Sequence, residues 1–449
     1  MSTSKNNPFD AIVAALPEAA TSYIVAYSGG IDSHVLLHVL AGRQDELCAP
    51  LLAVHVDHGI QSQSGEWQLH CERVCCQLNV PFHALQTNGN AAPGESPEAA
   101  ARHARYRVLA DWLPEGAVLL TAQHRDDQAE TFLLQLFRGA GPRGLSAMPA
   151  STSLGRGRLL RPFLELTRTD ILAWAQTHNL DWIEDPSNAD TRYDRNLLRH
   201  ELLAPLQSRW PGLHTVLARA AAHQSEQAGL ADALAEMDLS SGCRTEENHL
   251  VQSALLMLEP ARQRNLLRFW IHQQGFAMPS QAVLERIRTE MLFSRDDAQP
   301  VVRWGEAELR RYRGELYLMQ TLPSHDTELC IHWDLQDSLS LNTAGGVLVA
   351  RPVKGQGLCL PDGMVSVDVR FRHGGESLRL PGASHQRTLK NLLQEHAVPD
   401  WERERLPLLY AGDTLVAVPG IAVCEGFQAQ AGQAGFVLDW SRLSPSVAE

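Results

Sequence analysis

The residues with the clearest chemical signature are those of the run Ser28-Gly29-Gly30-Ile31-Asp32-Ser33. Two adjacent glycines let the backbone approach an anion closely, and the free amides at the start of a following helix can hold that anion. Ser28 and Ser33 add hydroxyl donors, and Asp32 adds a carboxylate that can hold a magnesium ion or orient a nucleotide. The run therefore predicts a phosphate-binding loop. The alternative is a strand-to-helix turn that binds nothing.

A second group of chemically active side chains is His124, Asp126, Asp127 and Glu130. In a helix that starts near Asp126, Glu130 lies one turn from both aspartates, so the carboxylates gather at one helix end. Such a cluster can bind magnesium pyrophosphate or receive a cationic amine. The alternative is that acids in a first turn only complement the helix dipole. A histidine at the end of the preceding strand, close to the predicted phosphate loop, favours the functional interpretation.

Alternating strand and helix patterns place both groups at one edge of a sheet. Repeated strand–helix units over about residues 20–140 predict an α/β fold with a Rossmann-like, doubly wound parallel sheet. Ligands of such sheets bind at the carboxyl ends of the strands, where the loop and His124 fall. The apolar runs are Tyr23–Tyr27, Leu51–Val56, Val80–Leu85 and Val118–Ala122, and the helical patterns are Val35–Leu40, Trp67–Leu78, Glu98–Leu113 and Asp126–Phe137.

The rest of the chain has a different pattern. Helical periodicity covers about residues 212–238 and Leu255–Gln273, and strand-like runs such as Leu309–Met319 dominate after Arg303. The segment 323–345 is interpreted as a connection, followed by a module of strands with one helix near Leu389–His396. We therefore expect three domains, which are an α/β domain with the predicted phosphate-binding loop at 1–211, a helical middle domain at 212–325 and a small α+β domain at 326–449.

The amino-acid composition limits the classes of protein to which the chain can belong. The 449 residues exceed what one core usually supports, and 44% hydrophobic with 20% charged residues is ordinary for a globular protein. The net charge of −13 argues against indiscriminate nucleic-acid binding, although a local basic face can still bind RNA. The eight cysteines form no CxxC pair typical of zinc or iron–sulfur sites. The N-terminus lacks a signal-peptide pattern and no apolar run spans a bilayer, so we expect a cytoplasmic protein.

Taken together, the motifs resemble one family, the bacterial tRNA(Ile)-lysidine synthetases of the PP-loop ATP pyrophosphatase superfamily. The loop alone identifies only the superfamily, whereas its combination with the later motifs is much more specific. The resemblance extends over nearly the whole chain, into Arg310-Arg311-Tyr312 and the segment Arg387–Pro407. The motifs that carry it are Ser28–Ser33, Val56-Asp57-His58-Gly59, Ala101-Arg102, Arg105-Tyr106, His124–Thr131, Arg138–Leu145, Arg161-Pro162-Phe163, Trp182–Asn188, Tyr193–Asn196 and Arg199.

The resemblance implies an ATP-dependent ligase that modifies the wobble cytidine of the isoleucine tRNA with a CAU anticodon. ATP would adenylate the C2 oxygen of the base, and the ε-amine of L-lysine would then displace AMP to give lysidine, with pyrophosphate as the other product. The modified anticodon would read AUA instead of AUG, and the tRNA would change identity from methionine to isoleucine. The implied cofactors are ATP and Mg²⁺. The sequence does not fix the oligomeric state, and a homodimer is one state that it allows.

The resemblance also implies roles for individual residues. Ser28, Gly29, Gly30, Ile31, Asp32 and Ser33 would bind ATP, with Asp32 and Asp127 on its metal. Expected catalytic residues are Asp32, Arg102, His124, Asp126, Asp127 and Glu130. Expected contacts to pyrophosphate or tRNA are Arg105, Arg195, Arg199, Arg387 and Lys390.

Two classes of alternative remain open on the sequence. Another PP-loop enzyme is possible in principle, but a tRNA cytidine thiolase commonly uses cysteine pairs that this chain lacks. NAD synthetase and asparagine synthetase share the loop, but neither explains the Asp126–Glu130 run or the C-terminal modules. The second class is a noncatalytic tRNA-binding protein, which has no need for a carboxylate cluster beside the loop.

Overall fold

The computed structural model describes residues 8–57, 64–87, 97–295, 298–341, 344–361 and 364–442. His58 and Gly59 of the predicted turn lie outside the described residues. The chain forms two compact units, Met1–Ala231 and Asp232–Glu449. In the ranges described above, no helix is both long and apolar enough to cross a membrane.

The first unit is built on a six-stranded sheet, and the prediction of a parallel α/β sheet there is confirmed. Its strands are β1 (Tyr23–Ala26), β2 (Leu51–Asp57), β3 (Phe82–Gln86), β4 (Val118–Leu120), β5 (Ser151–Leu154) and β6 (Gly157–Leu160). Their order across the sheet is β3-β2-β1-β4-β6-β5. All neighbours are parallel except the β5–β6 hairpin, which the sequence analysis did not predict.

The strand order has a switch point between β1 and β4. From β1 the chain builds outward through β2 to β3, and it then returns to the other side of β1 to form β4. Helices that leave neighbouring strands in opposite directions open a crevice at their carboxyl ends, where ligands bind. The Ser28–Ser33 loop follows β1 and His124 follows β4, so the topology places both at this crevice.

Helices cover both faces of the sheet. One core packs β1 and β2 residues such as Val25 and Ala53 against helices that contribute Leu36 and Ile171, and the other packs Ile24 and Leu119 against Leu109 and Leu113. The helices of this part of the chain are α1 (Asp10–Ala14), α2 (Ile31–Ala41), α3 (Ser64–Gln77), α4 (Pro97–Trp112), α5 (Arg125–Phe137), α6 (Pro142–Leu145), α7 (Arg168–Thr177), α8 (Asp194–Leu197), α9 (Ala204–Arg209) and α10 (Leu213–Asp238), the last of which continues into the second unit.

The second unit begins with a helical region that also holds a four-stranded antiparallel sheet, in the order β7-β10-β9-β8. Its helices are α11 (Gln252–Leu256), α12 (Pro260–Gln273) and α13 (Gln281–Phe293), and its strands are β7 (Leu250–Val251), β8 (Val301–Trp304), β9 (Ala307–Tyr312) and β10 (Glu315–Gln320). The single strand-like run predicted at Leu309–Met319 is therefore a hairpin. It turns at Arg313 and Gly314, both of which have positive φ.

The remainder of the second unit is an α+β module, as predicted. It contains α14 (Leu389–Glu395) and α15 (Asp400–Arg403), with strands β11 (Ile331–Trp333), β12 (Leu339–Leu341), β13 (Gly346–Lys354), β14 (Val367–Arg370), β15 (Ser377–Leu378), β16 (Arg387–Thr388), β17 (Leu408–Ala411), β18 (Thr414–Val418), β19 (Ala422–Val423) and β20 (Ala434–Arg442). The interpretation of 323–345 as a mere connection was wrong. Its strands β11 and β12 pair with β14 and β13, and the buried Trp333 and Leu341 join the module's core.

Candidate active site

The loop after β1 is held in shape by its own hydroxyls. The Ser33 Oγ lies 3.1 Å from the Ser28 Oγ, accepts the Ser28 backbone N–H at 3.2 Å and donates to the Gly30 carbonyl at 3.1 Å. Helix α2 then begins at Ile31, with Gly30 as an extended N-cap. Glycine has no side chain to cap the helix, so the first amides of α2 have no N-cap side chain as a partner. This arrangement can hold phosphate oxygens.

Gly29 is required at its position for two reasons. Its φ of 85° is a left-handed conformation that other residues rarely adopt. A Cβ there would also lie 2.8 Å from Ile183 Cδ1 and 3.1 Å from the Cys71 sulfur. Ile183 donates its backbone N–H to the Gly29 carbonyl at 2.9 Å. The Trp182–Asn188 motif therefore supports the loop from behind.

The buried His124 and the half-buried Asp32, whose side chain is 34% exposed, form a polar pair that we call the Asp32–His124 pair. The His124 side chain is 1% exposed, and its Nε2 lies 3.8 Å from Asp32 Oδ1 and 3.5 Å from Asp127 Oδ2. Neither ring nitrogen, nor Asp32 Oδ1, makes a hydrogen bond among the residues that the structure describes. Buried polar atoms normally have a partner, so unpartnered atoms at a crevice indicate a place for a ligand.

Burial raises the pKa of Asp32 above its ordinary value. His124 opposes that shift, the nearby carboxylate of Asp127 adds to it, and Arg168 and Arg199 act in the opposite direction. The net effect is a carboxylate whose charge is not fully compensated by the protein. A cation bound beside Asp32 would supply the missing compensation.

Four side chains beyond this pair form a connected set of ion pairs, which we call the arginine–carboxylate network: Asp127, Glu130, Arg195 and Arg199. Glu130, 1% exposed, accepts from Arg195 Nε at 2.7 Å and from Arg199 Nε at 2.7 Å. Asp127 Oδ1 lies 3.2 Å from Arg195 Nη2 and 3.5 Å from Arg199 Nη2. The acids at the start of α5 are therefore already paired with arginines of the α8 region.

The network also fixes the start of α5. Asp127 Oδ2 accepts the backbone N–H of His124 at 2.9 Å, and this bond closes the first turn. Burial raises the pKa of Asp127, but His124, Arg195, that backbone hydrogen bond and Arg199 together bring it below its ordinary value. On the opposite side, Asn196 donates to the carbonyls of Ser187 and Asp190 at 2.9 Å each. These two bonds anchor the segment that carries Arg195 and Arg199.

The predicted site residues fall into three groups. The structure brings together the loop residues, Asp32, His124, Asp126, Asp127, Glu130, Arg195 and Arg199. Arg102 and Arg105 lie on α4, and Arg102 stands 5.3 Å from the Tyr106 ring rather than in the network. Arg387 and Lys390 belong to the second unit, where Arg387 pairs with Glu395 at 3.0 Å.

Two residues at the site were missed by the sequence analysis. Arg168, at the start of α7, donates its backbone N–H to Asp126 Oδ1 at 3.4 Å. His214, at the start of α10, has its Nδ1 3.3 Å from Asp126 Oδ2. The Thr167–Asp170 capping box marks the start of α7 and could have indicated Arg168. No local signal points to His214, because only the fold brings α10 to Asp126.

The donor set fits a magnesium ion only in part. In the described ranges, no three His, Cys, Asp or Glu side chains are arranged to hold a metal by themselves. Magnesium in nucleotide enzymes is commonly bound by one or two carboxylates with substrate phosphates and water. The unpartnered Oδ1 of Asp32 suits that mode. Asp127 suits it less, because both of its oxygens already accept from His124 and the arginines.

The fold and loop define a class, and comparison with known families agrees. Residues 1–206 match the family model described as a PP-loop domain. This places the first unit among ATP-binding PP-loop domains. Residues 250–317 match the TilS substrate binding domain, and residues 367–440 match the TilS substrate C-terminal domain.

Curated relatives define the family more narrowly. A tRNA(Ile)-lysidine synthase of Coxiella burnetii is 44% identical over 93% of this chain and 92% of its own. Those of Serratia proteamaculans (42%, covering 97% and 99%) and Methylococcus capsulatus (42%, covering 89% and 91%) are similar over comparable lengths. The chain belongs to the tRNA(Ile)-lysidine synthase family. A solved U34-tRNA thiolase of Methanococcus maripaludis covers 49% of this chain and 78% of its own at 15% identity, with a TM-score of 0.42, too low to bear on function.

Proposed function

We propose that this protein is an ATP-dependent ligase that forms lysidine on tRNA(Ile), with L-lysine as the second substrate. The similar curated proteins are named for lysidine synthesis on tRNA(Ile), and the PP-loop domain accounts for the use of ATP. The observation that carries the proposal is the Asp32–His124 pair. Asp32 Oδ1 and both ring nitrogens of His124 are buried, make no hydrogen bond to described residues, and lie at the switch-point crevice beside the phosphate loop.

The first step is adenylation of the wobble cytidine. The cytidine C2 oxygen attacks the α-phosphorus of ATP, and pyrophosphate leaves. The Ser28–Ser33 loop and the first amides of α2 bind the phosphates and hold them in line. Asp32 is the residue that would hold Mg²⁺, which supplies charge neutralisation for the departing pyrophosphate. Arg195 and Arg199 present positive charge from the network, and Glu130 fixes their positions.

The second step joins lysine to the base. The neutral ε-amine attacks C2 of the adenylated cytidine, the bond to the activated oxygen breaks, and AMP leaves. The amine loses a proton in this step, so a group must hold that proton. We assign it to His124, because its nitrogens are unpartnered and the carboxylates of Asp32, Asp126 and Asp127 lie within 4 Å of them. Those carboxylates would stabilise the imidazolium.

The structure weakens the thiolase alternative further. The Cys71 sulfur lies next to Gly29 of the loop, and burial raises the pKa of Cys71 and of Cys75 to about 12. A sulfur carrier needs an accessible thiolate at neutral pH. Both thiols are buried in the hydrophobic core and stay protonated at neutral pH, so neither suits that role.

We also propose that the second unit holds the tRNA, with domains at 1–211, 212–325 and 326–449. The matches to substrate-binding domains at 250–317 and 367–440 support this division. Arg387 and Lys390 are exposed on β16 and α14, where they can contact phosphates. Such contacts would position the tRNA while the base is read in the crevice.

AMP release from labelled ATP tests the function directly. The protein is assayed with and without lysine, using unmodified CAU-anticodon isoleucine tRNA or methionine tRNA. We expect AMP only when lysine and the isoleucine tRNA are both present. AMP formation that does not depend on lysine would indicate that sulfur or ammonia, and not lysine, reacts with the adenylated base. No AMP under any condition would favour the noncatalytic tRNA-binding protein.

A further inference from the structure

A second group of polar side chains, formed by Arg102, Tyr106 and Arg161, lies around Tyr106 on α4. The Arg102 guanidinium stands over the Tyr106 ring at 5.3 Å. Arg161, directly after β6, is 7% exposed. Its Nη1 donates to the Pro149 carbonyl at 2.7 Å, but its Nε has no partner. Neither Arg102 nor Arg161 has a carboxylate within ion-pair distance among the described residues.

This charge arrangement is unusual for a buried arginine. Burial lowers the pKa of Arg161, Tyr106 partly opposes that effect, and the like charge of Arg102 lowers the pKa further. Arginine nevertheless stays protonated in proteins. A buried cation without a counterion is costly, and a native structure normally supplies one. Here the protein supplies a carbonyl and the Tyr106 hydroxyl but no carboxylate, so an anionic ligand would complete the site.

The group lies at the same edge of the sheet as the crevice. Strand β6 runs parallel to β4, and β4 runs parallel to β1. Arg161 follows β6 directly, so it lies at the same sheet edge as His124 and the Ser28–Ser33 loop. Tyr106 is only partly buried and packs beside Leu109 in the core under that edge. The group is therefore anchored on the sheet, at the edge where the phosphate loop and His124 lie.

We propose that Arg102, Tyr106 and Arg161 form a phosphate-binding site for a substrate of the lysidine reaction. Arg161 would donate through its free Nε, Tyr106 through its hydroxyl, and Arg102 through its guanidinium, in the charge-assisted geometry that phosphate oxygens favour. The proposal rests on the proposed function, because the phosphate comes from one of its two phosphate-bearing substrates. These sources are the pyrophosphate portion of ATP and a backbone phosphate of the tRNA.

The test uses full-length variants Arg161→Met, Arg161→Lys and Tyr106→Phe. Arg107→Met is the matched control, since Arg107 is an exposed arginine of the same helix. Binding of inorganic pyrophosphate is measured by calorimetry, and binding of tRNA by filter retention over a range of salt. We expect Arg161→Met to weaken one of these by about tenfold to a hundredfold, and Arg161→Lys by less, because a hydrogen-bonded charge is lost.

The two sources give different results. If the phosphate belongs to ATP, pyrophosphate affinity falls and tRNA affinity stays. If it belongs to tRNA, tRNA affinity falls and the slope of log K against log salt decreases by about 0.9 per lost contact, while pyrophosphate binding stays. A folded Arg161→Met with both affinities unchanged overturns the proposal. If Arg161→Met does not fold, Tyr106→Phe and Arg161→Lys decide by the same criterion. Neither binding assay needs lysidine formation, so failure of the proposed function would be seen separately.

Discussion

The arginine–carboxylate network and the Asp32–His124 pair lie side by side at the switch-point crevice. They differ in whether their polar atoms have hydrogen-bond partners in the protein. In the network, both Glu130 oxygens and both Asp127 oxygens accept hydrogen bonds at 2.7–3.5 Å. In the pair, Asp32 Oδ1 and both His124 nitrogens accept or donate none to described residues. Both regions contain buried atoms of charged side chains. They differ in whether the protein itself or a ligand provides the partners of those atoms.

This difference separates structural from chemical roles at one site. A set of charges that the protein itself completes is rigid and can position its members. A set that is left incomplete keeps atoms available for a ligand, at a cost in stability. We therefore expect the network to position Arg195 and Arg199, and the Asp32–His124 pair to contact substrate and metal.

The largest effect should come from breaking the network with Glu130→Gln. The two arginines would lose a buried charged partner, and we expect the free energy of unfolding to fall by about 3–5 kcal/mol. Urea unfolding followed by tryptophan fluorescence measures it. The control is Glu46→Gln, which breaks the exposed pair of Glu46 with Arg43 at 3.2 Å and should cost no more than about 1 kcal/mol. Equal losses in the two variants would contradict the distinction.

Asp32→Asn tests the other side of the comparison. Turnover should fall by about 10²–10³-fold, because a preorganised charge at the reacting phosphates is lost. Stability should not fall, since burial raises the pKa of Asp32 and its ionised form therefore opposes folding at neutral pH. AMP release, tRNA binding and urea unfolding are measured together, with exposed Asp45→Asn as control. A destabilised variant that retains turnover would reverse the assignment.

A double-mutant cycle of Arg195→Met and Arg199→Met sharpens the definition of the network. Because both arginines bind Glu130, their effects on the free energy of unfolding should be non-additive by about 0.5–3 kcal/mol. Arg195→Met combined with Arg43→Met is the control, since Arg43 shares no partner with the network. Strict additivity of the first pair would show that the contacts to Glu130 are energetically independent.

The smallest effect is a pH dependence from Asp127. Its pKa in the folded protein lies below the ordinary value of 3.8, so its stabilising contribution is present above that value. The contribution is lost as pH falls through the lower folded pKa. The difference in urea midpoint between wild type and Asp127→Asn should therefore be largest at neutral pH and shrink below 3.8. A difference that is constant with pH would argue against an ionised Asp127 in the network.

Much of the architecture could be predicted because the signals are local. Apolar runs bounded by helical periodicity predicted β1 to β4, and the family resemblance was confirmed by relatives that span most of the chain. The hairpins could not be predicted from the sequence. The β5–β6 pair and the turn at Arg313 and Gly314 depend on short segments whose periodicity is too brief to separate strand from loop. Strands β11 and β12 were missed for the same reason.

The candidate site also depends on local sequence in some respects and on the tertiary structure in others. By itself, the sequence determined which residue types are present for chemistry: the Ser28–Ser33 loop, the acids of α5 and the arginines near residue 195 all stand in recognisable motifs. Only the tertiary structure decided which of these charges are already paired. Glu130 and Arg199 are 69 residues apart in the chain, and their hydrogen bond follows from chain packing that no local pattern encodes. Burial acts in the same non-local way, because the environment that raises the pKa of Asp32 and lowers that of Asp127 is built by distant segments.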